Sequence, residues 1–247
     1  MRVLFLDLDR TLLGDDYSPE PARPLLKALL GAGFEVVLNS SKTLAEQEYY
    51  RSAWGLRGPF IVENGSALVI PEGYFPFKVN GRRRGEYVVV ELGERYGRIK
   101  AALDGLAEEY GLRYYGNCTL EEVMDFTGLP EGLARLAMKR DYSETIFTWK
   151  RAGFEGVLEG ILEGMGLRVS RGSRFLGVTG NTDKGRAAKE LLGLYSLLGK
   201  VESYALGDGE NDLPLLDVVD HPFIVGNLRH RRAKNISSAD ELLEVVL

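Results

Sequence analysis

Two aspartates one residue apart, Asp7 and Asp9, stand at the end of an apolar run over residues 3–8. Such a run predicts a buried strand of a parallel sheet. Period-two alternation then puts both carboxylates on one side and Leu8 on the other. Two carboxylates at a buried strand end repel each other and are poorly solvated, so a cation or a proton must relieve them. A carboxylate is a good nucleophile toward phosphorus once the phosphate charge is masked. The second can carry a proton. The same residues also suit a plain strand end before a solvated turn, because Asp15 and Asp16 follow.

Three more polar clusters follow apolar runs or precede helical patterns. Ser40-Ser41-Lys42-Thr43 closes the run 34–38. It offers hydroxyls and free backbone N–H groups for a phosphate oxygen, or an ordinary helix cap. Lys184, in Thr182-Asp183-Lys184-Gly185, can keep Asp7 ionised and neutralise phosphate charge, although most lysines lie on solvated surfaces. Gly207-Asp208-Gly209-Glu210-Asn211-Asp212 supplies more oxygen ligands on a turn, and G-D-G is also common in turns without a site. Carboxylates in that number around one crevice require a divalent cation. Mg²⁺ suits a few carboxylates with water and phosphate oxygens. One cysteine, Cys118, and two histidines, His221 and His230, leave no thiolate cluster or multi-histidine centre.

The elements must bring these clusters to one place. The chain has 247 residues, 45% apolar and 27% charged, which is ordinary for a soluble globular protein. Its net charge of −5 argues against a general nucleic-acid binder. No apolar run reaches membrane-span length and no signal peptide is visible, so a cytoplasmic protein is expected. Ser18-Pro19 predicts the start of a helix running to residue 30. Strands are expected at 34–38 and 60–62, with a helix over 44–54 between them. This alternation predicts a doubly wound α/β core. The arginine run 82–84 reads as a solvated turn or hinge. An α+β layer is expected next: strand 87–92, helix 96–110, strand 112–115, helices within 119–138, strand 145–149, helix 154–165 and strand 167–170. The parallel pattern then resumes with strand 175–178, a helix capped by Thr182 or Asp183 and running to 198, and strand 202–206. A helix to 218, strand 222–225 and a helix near 239–246 follow. Sites in such sheets form at the carboxyl ends of the strands, so the distant clusters can converge.

Taken in order, the clusters resemble the haloacid dehalogenase superfamily of phosphatases. The D-x-D-x-T motif is met by Asp7, Asp9 and Thr11, the second-strand hydroxyl by Ser40, and the lysine motif by Lys184. The G-D-x-x-N-D motif is met by Gly207, Asp208, Asn211 and Asp212. The resemblance implies a Rossmann-type core over 1–82 and 173–247, and an inserted C2-type cap over 83–172. It implies Mg²⁺ at Asp7, Asp9 (through its backbone carbonyl), Asp208 and Asp212. It also implies an aspartyl-phosphate mechanism with Asp7 as nucleophile and Asp9 as acid and base, and Ser40 and Lys184 holding phosphate oxygens. Arg10 stands where many relatives have Gly, adding a charge near the mouth.

Finer features resemble the mannosyl-3-phosphoglycerate phosphatases within that superfamily. They are Ser40-Ser41-Lys42-Thr43, Glu63-Asn64-Gly65, Arg140-Asp141-Tyr142-Ser143-Glu144, Ser173-Arg174-Phe175 and Asn181-Thr182-Asp183-Lys184-Gly185. The implied substrate carries a phosphate, a carboxylate and a hexose. Lys42, Arg140 and Arg174 are candidates for the carboxylate. Gln47, Asn64, Ser143 and Glu144 are candidates for the sugar hydroxyls, with Thr11, Ser41 and Asn211 further candidates for binding the substrate. Another phosphorylated sugar, a phosphomutase reaction, or a metal- and phosphate-binding regulatory module without turnover are the alternatives. The expected partner is a small phosphorylated sugar or glycerate, with neither nucleic acid nor membrane, and the oligomeric state stays open.

Overall fold

The structure, a computed structural model, describes residues 1–150, 155–172 and 174–246. Phe154, at the expected helix start, and Ser173 lie outside them. The strand β1 (Arg2–Leu6) is the axis of the fold, flanked by β2 (Phe34–Leu38) and β11 (Glu202–Gly207). With β12 (His221–Val225) and β13 (Lys234–Ile236) they form a five-stranded parallel sheet, ordered β13-β12-β11-β1-β2. Alternation along β1 sends Leu4 and Leu6 into one apolar cluster, with Leu25, Leu29 and Val36. It sends Val3 and Phe5 into another on the opposite face, with Ala187, Leu191 and Leu215. A sheet buried on both faces accounts for the near-continuous apolar run.

The helices α1 (Arg23–Gly31), α2 (Leu44–Trp54), α7 (Lys184–Ser196) and α8 (Leu213–Val218) make the crossovers. Helix α1 begins later than Ser18-Pro19 suggests. A helix begun at Ser18 would put Pro24 in its interior, where it lacks the N–H to donate, so the helix starts with that proline in its first turn. The Ser18 hydroxyl instead accepts the Glu20 N–H at 3.3 Å.

A second sheet of four antiparallel strands, ordered β3-β4-β6-β5, extends from the edge of the core. It joins β3 (Phe60–Val62), β4 (Ala67–Pro71), β5 (Arg82–Arg84) and β6 (Tyr87–Glu91). Strand β3 meets the parallel sheet through a single bridge between Asn39 and Ile61. The arginine run is therefore a strand and not a turn. Its ladder with β6 satisfies the backbone while the arginine side chains face solvent or its boundary.

The cap domain is a third sheet, ordered β7-β8-β10-β9. Its strands are β7 (Arg113–Tyr114), β8 (Ser143–Thr148), β9 (Arg168–Arg171) and β10 (Leu176–Thr179), all antiparallel to their neighbours. Helices α3 (Tyr96–Tyr110) and α6 (Glu155–Gly164) pack on it through Ile99, Leu103, Leu158 and Leu162. Helices α4 (Leu120–Thr127) and α5 (Glu131–Ala137) complete the insert. The expected return of the parallel sheet at 175–178 does not occur. Leu176 and Val178 face the cap's own apolar cluster, so β10 is one of its central strands. Sheet membership thus changes between Glu91 and Tyr96 and again between Thr179 and Lys184, not at residues 82 and 172.

Candidate active site

Beyond β1 the Asp7 N–H donates to the Leu206 carbonyl at 3.0 Å, extending the ladder by one residue. The chain then curls tightly. The N–H groups of Thr11, Leu12 and Leu13 all reach the Leu8 carbonyl, at 3.3, 2.9 and 2.9 Å. Arg10 takes φ +59°, a conformation that suits Gly best. The curl leaves the Asp7 carboxylate buried at the sheet end and Asp9 facing the cleft with its side chain 35% exposed.

Lys184 is the first residue of α7, whose cap Asp183 accepts the Arg186 N–H. Asn39 donates to the Lys184 carbonyl at 3.1 Å and fixes that helix end. The Lys184 ammonium, fully buried, donates to Asp7 Oδ1 and Asp212 Oδ1, both at 2.6 Å. The other Asp212 oxygen accepts the N–H groups of Asp208 and Gly209 at 3.1 and 3.0 Å. Gly65 makes this packing possible. It sits at φ +86°, and a Cβ there would come within 2.1 Å of the Asp183 carbonyl oxygen.

The charges are unbalanced. Burial, opposed by Lys184 and reinforced by Asp212, Asp208 and Asp9, holds the Asp7 carboxyl well above its ordinary range. Burial and Asp212 push Asp208 up to about 6. Lys184 is shifted upward: burial opposes its charge, but Asp212 and Asp7 outweigh it. One oxygen each of Asp7, Asp208 and Asp212 lies within 4.8 Å of the others. This all-oxygen carboxylate set fits a hard divalent cation such as Mg²⁺. Asp9 is not part of this cluster through its side chain, which forms an ion pair with Lys42 at 2.8 Å.

The cleft that opens onto this cluster is lined by Asp7, Asp9, Arg10, Ser41, Lys42, Asn64, Arg140, Arg174, Asp208 and Asn211. Of the residues expected at the phosphate end, Ser40 and Thr11 are buried and do not line it. The Ser40 hydroxyl accepts the Lys42 N–H at 3.4 Å. Ser41 carries the cleft surface of that turn. Lys42 is buried against Asp9 and, at 3.6 Å, Glu46, and its ammonium lies over the Tyr17 and Tyr50 rings. Both carboxylates hold its charge against the cost of burial. Gln47 does not reach the cleft. It is fully buried and donates to the Ile61 carbonyl at 2.7 Å, tying α2 to β3.

In the cap, two of the expected sugar contacts are already committed to the fold. Glu144 accepts the Tyr96 hydroxyl at 2.8 Å and the N–H groups of Tyr115, Gly116 and Thr145. Ser143 donates to Glu63 at 2.8 Å and accepts from Arg140 at 2.7 Å. Glu63 sits at φ +49° in the turn after β3 and also accepts the N–H groups of Asp141 and Tyr142. Burial raises its proton affinity, and Arg140 and these N–H groups oppose the shift. Arg140 donates to the Ser41 carbonyl at 3.0 Å, joining cap to core. Arg174 lines the cleft but donates to the Thr127 and Phe126 carbonyls at 2.8 and 2.9 Å. Asn64 and Asn211 hydrogen-bond to each other at 3.1 Å at the cleft wall. Sequence reasoning missed Tyr115, Thr145, Ser170, Phe175 and Gly177, which also line the cleft. Strand register brings Thr145, Ser170 and Gly177 there, and the turns after β7 and before β10 bring Tyr115 and Phe175; single hydroxyls, rings or glycines announce neither.

Known proteins are similar to this chain in sequence and in fold. The family of haloacid dehalogenase-like hydrolases matches residues 171–239. A mannosyl-3-phosphoglycerate phosphatase of Pyrococcus furiosus is 56% identical over 246 residues, covering 100% of both chains. One from Pyrococcus horikoshii is 54% identical, covering 100% of this chain and 99% of its own. A haloacid dehalogenase-like hydrolase from B. subtilis has the same fold, with a TM-score of 0.70 at 17% identity and full coverage of both chains. With a parallel core, a sheet cap and relatives matched end to end, the chain belongs to the haloacid dehalogenase-like hydrolases, in the family of the mannosyl-3-phosphoglycerate phosphatases.

Proposed function

We propose that the phosphatase reaction of this chain removes the phosphate of 2-O-(α-mannosyl)-3-phosphoglycerate, leaving mannosylglycerate. The observation that carries this reading is the fully buried Lys184 bridging Asp7 and Asp212, with Asp9 on the same curl and one cleft opening onto Asp7, Asp9 and Asp208. The names of the Pyrococcus relatives support the substrate.

Asp7 attacks phosphorus in line. Its carboxylate oxygen bonds to phosphorus as the ester P–O bond breaks, and Asp9 gives its proton to the departing alkoxide. Asp9 then takes a proton from water, and the hydroxide attacks phosphorus. The bond to Asp7 breaks and phosphate leaves. Lys42 holds the Asp9 side chain toward the cleft. The Ser41 side of the turn and Lys184 face the non-bridging oxygens. Asp7, Asp208 and the Asp9 carbonyl would hold Mg²⁺, with Asp212 beside them. When bound, the cation neutralises charge on the phosphoryl group, the main demand of this chemistry. Cap residues line the cleft opposite the core, and the cap limits solvent to the water that the second step consumes.

Phosphate release by the purified chain with Mg²⁺, measured on mannosyl-3-phosphoglycerate beside a panel of sugar phosphates, tests the reading. Preference for the mannosyl compound by kcat/KM is expected. Equal or better turnover of an unrelated hexose phosphate overturns the substrate assignment.

A further inference from the structure

We infer that the cap sheet carries the seat for the hexose: a saddle formed by Thr145, Gly177 and Ser170 and faced by Asn64 of the core. The inference rests on the phosphatase reading above and deepens it.

The three residues stand in one row across three strands, because Gly177 of β10 pairs with Thr145 of β8 and with Ser170 of β9. Their neighbours Ile146, Leu176, Val178 and Val169 turn into the cap's apolar cluster. Alternation therefore turns the row the other way, and all three line the cleft. A glycine inside a strand weakens it and marks a place where another group must approach closely. Gly177 has an ordinary strand backbone, so no conformational need explains it.

What its missing side chain leaves is a dip with polar walls. A Cβ there would lie 3.1 Å from Ser170 Oγ and 3.2 Å from Asn64 Nδ2. The hydroxyls of Thr145 and Ser170 and the Asn64 amide nitrogen have no hydrogen-bond partner among the described residues, whereas Asn64 Oδ1 is held by Asn211 at 3.1 Å. Free hydroxyls and an amide around a shallow dip match a ligand that presents several hydroxyls from a compact ring. The cations of the cleft are already held by other groups: Lys42 by Asp9 and Glu46, Arg140 by Ser143 and the Ser41 carbonyl, and Arg174 by the Thr127 and Phe126 carbonyls. Tyr115 and Phe175, also at the cleft surface, give the ring an apolar edge.

The test compares the KM of mannosyl-3-phosphoglycerate with the inhibition constant of 3-phosphoglycerate, which lacks the sugar and reads binding whether or not it is turned over. In Gly177→Ala the added methyl pushes on side-chain ends that can yield, so the fold survives. One misplaced methyl in a recognition pocket costs about 10-fold or more, so KM should rise by that factor while the 3-phosphoglycerate constant stays within about twofold. Ser170→Ala and Thr145→Ala add no bulk and serve if Gly177→Ala fails to fold; each should raise KM about 3-fold to 10-fold with the same selectivity. A KM unchanged in all three variants, or both constants rising together, overturns the saddle. Absence of phosphate release by the parent chain overturns the phosphatase reading instead.

Discussion

The two ends of the cleft solve different problems. At the core end, four carboxylates and two lysines crowd together: Asp7, Asp208 and Asp212 around Lys184, and Asp9 against Lys42. Desolvating such charges is expensive, so each persists only beside a specific partner. At the cap end, the charged groups Glu63, Arg140 and Glu144 are spent on the backbone and on each other. The groups left open there are neutral: hydroxyls, an amide and a glycine. On the reading proposed above, chemistry at phosphorus demands concentrated charge, and recognition of a sugar demands open hydrogen-bonding capacity. The molecule separates them by about the depth of one cleft, with Ser41 and Arg140 at the seam.

Asp7→Asn puts the sharpest strain on this contrast. It keeps shape and removes the nucleophile, so kcat should fall at least about 10⁴-fold with the fold intact. Substantial residual turnover would end the covalent mechanism. Lys184→Met leaves Asp7 and Asp212 buried without their cation. Urea unfolding in the presence of a chelator should show a loss of about 3–5 kcal/mol, because breaking a buried pair strands a charge. An unchanged midpoint would mean the core cluster is not held by charge.

Glu144→Gln probes the other end. It should cost about 1–3 kcal/mol, since an amide cannot accept from every donor that the carboxylate now satisfies. The KM for substrate should not move, and a large rise in KM would return Glu144 to the sugar site. The smallest effect is a pH trend. Asp7 and Asp208 have raised folded values, Asp208 at about 6, so they bind protons more tightly folded than unfolded. Their contribution to metal-free stability is therefore favourable at low pH; it is lost as pH rises from about 4 through 6 for Asp208 and continues to be lost above that for Asp7, whose value is raised further. Mg²⁺ needs the deprotonated forms, so its gain in melting temperature over chelator should widen between about pH 5 and 8. A gain independent of pH would separate the cation from these carboxylates.

The core end was legible in the sequence because its demands are chemical. Asp7, Lys184, Asp208 and Asp212 come together as their spacing after apolar runs and at a helix start led one to expect, and buried strands announce themselves by such runs. The same runs misled at β10, where apolar residues facing the cap interior look like those of a parallel strand. Strand β13 (Lys234–Ile236) was not expected, because two of its three residues are exposed and no alternation marks it. The commitments of Gln47, Ser143 and Glu144 depend on backbone groups that no side-chain pattern encodes. The row of Thr145, Gly177 and Ser170 exists only once three strands are in register.

The membership of β10 in the cap sheet has a practical consequence for building chimaeras. Strand β10 ends at Thr179, and Lys184 opens α7. The link between them is pinned by the Thr182 hydroxyl donating to the Gly65 carbonyl at 2.8 Å. A cap exchanged between relatives with its junction near residue 172 would lose a central strand and expose the apolar side of its neighbours. A junction at Gly180 keeps the sheet whole. It also means that any transplanted cap delivers its last strand within a few residues of the lysine, so specificity and turnover cannot be swapped as fully independent parts.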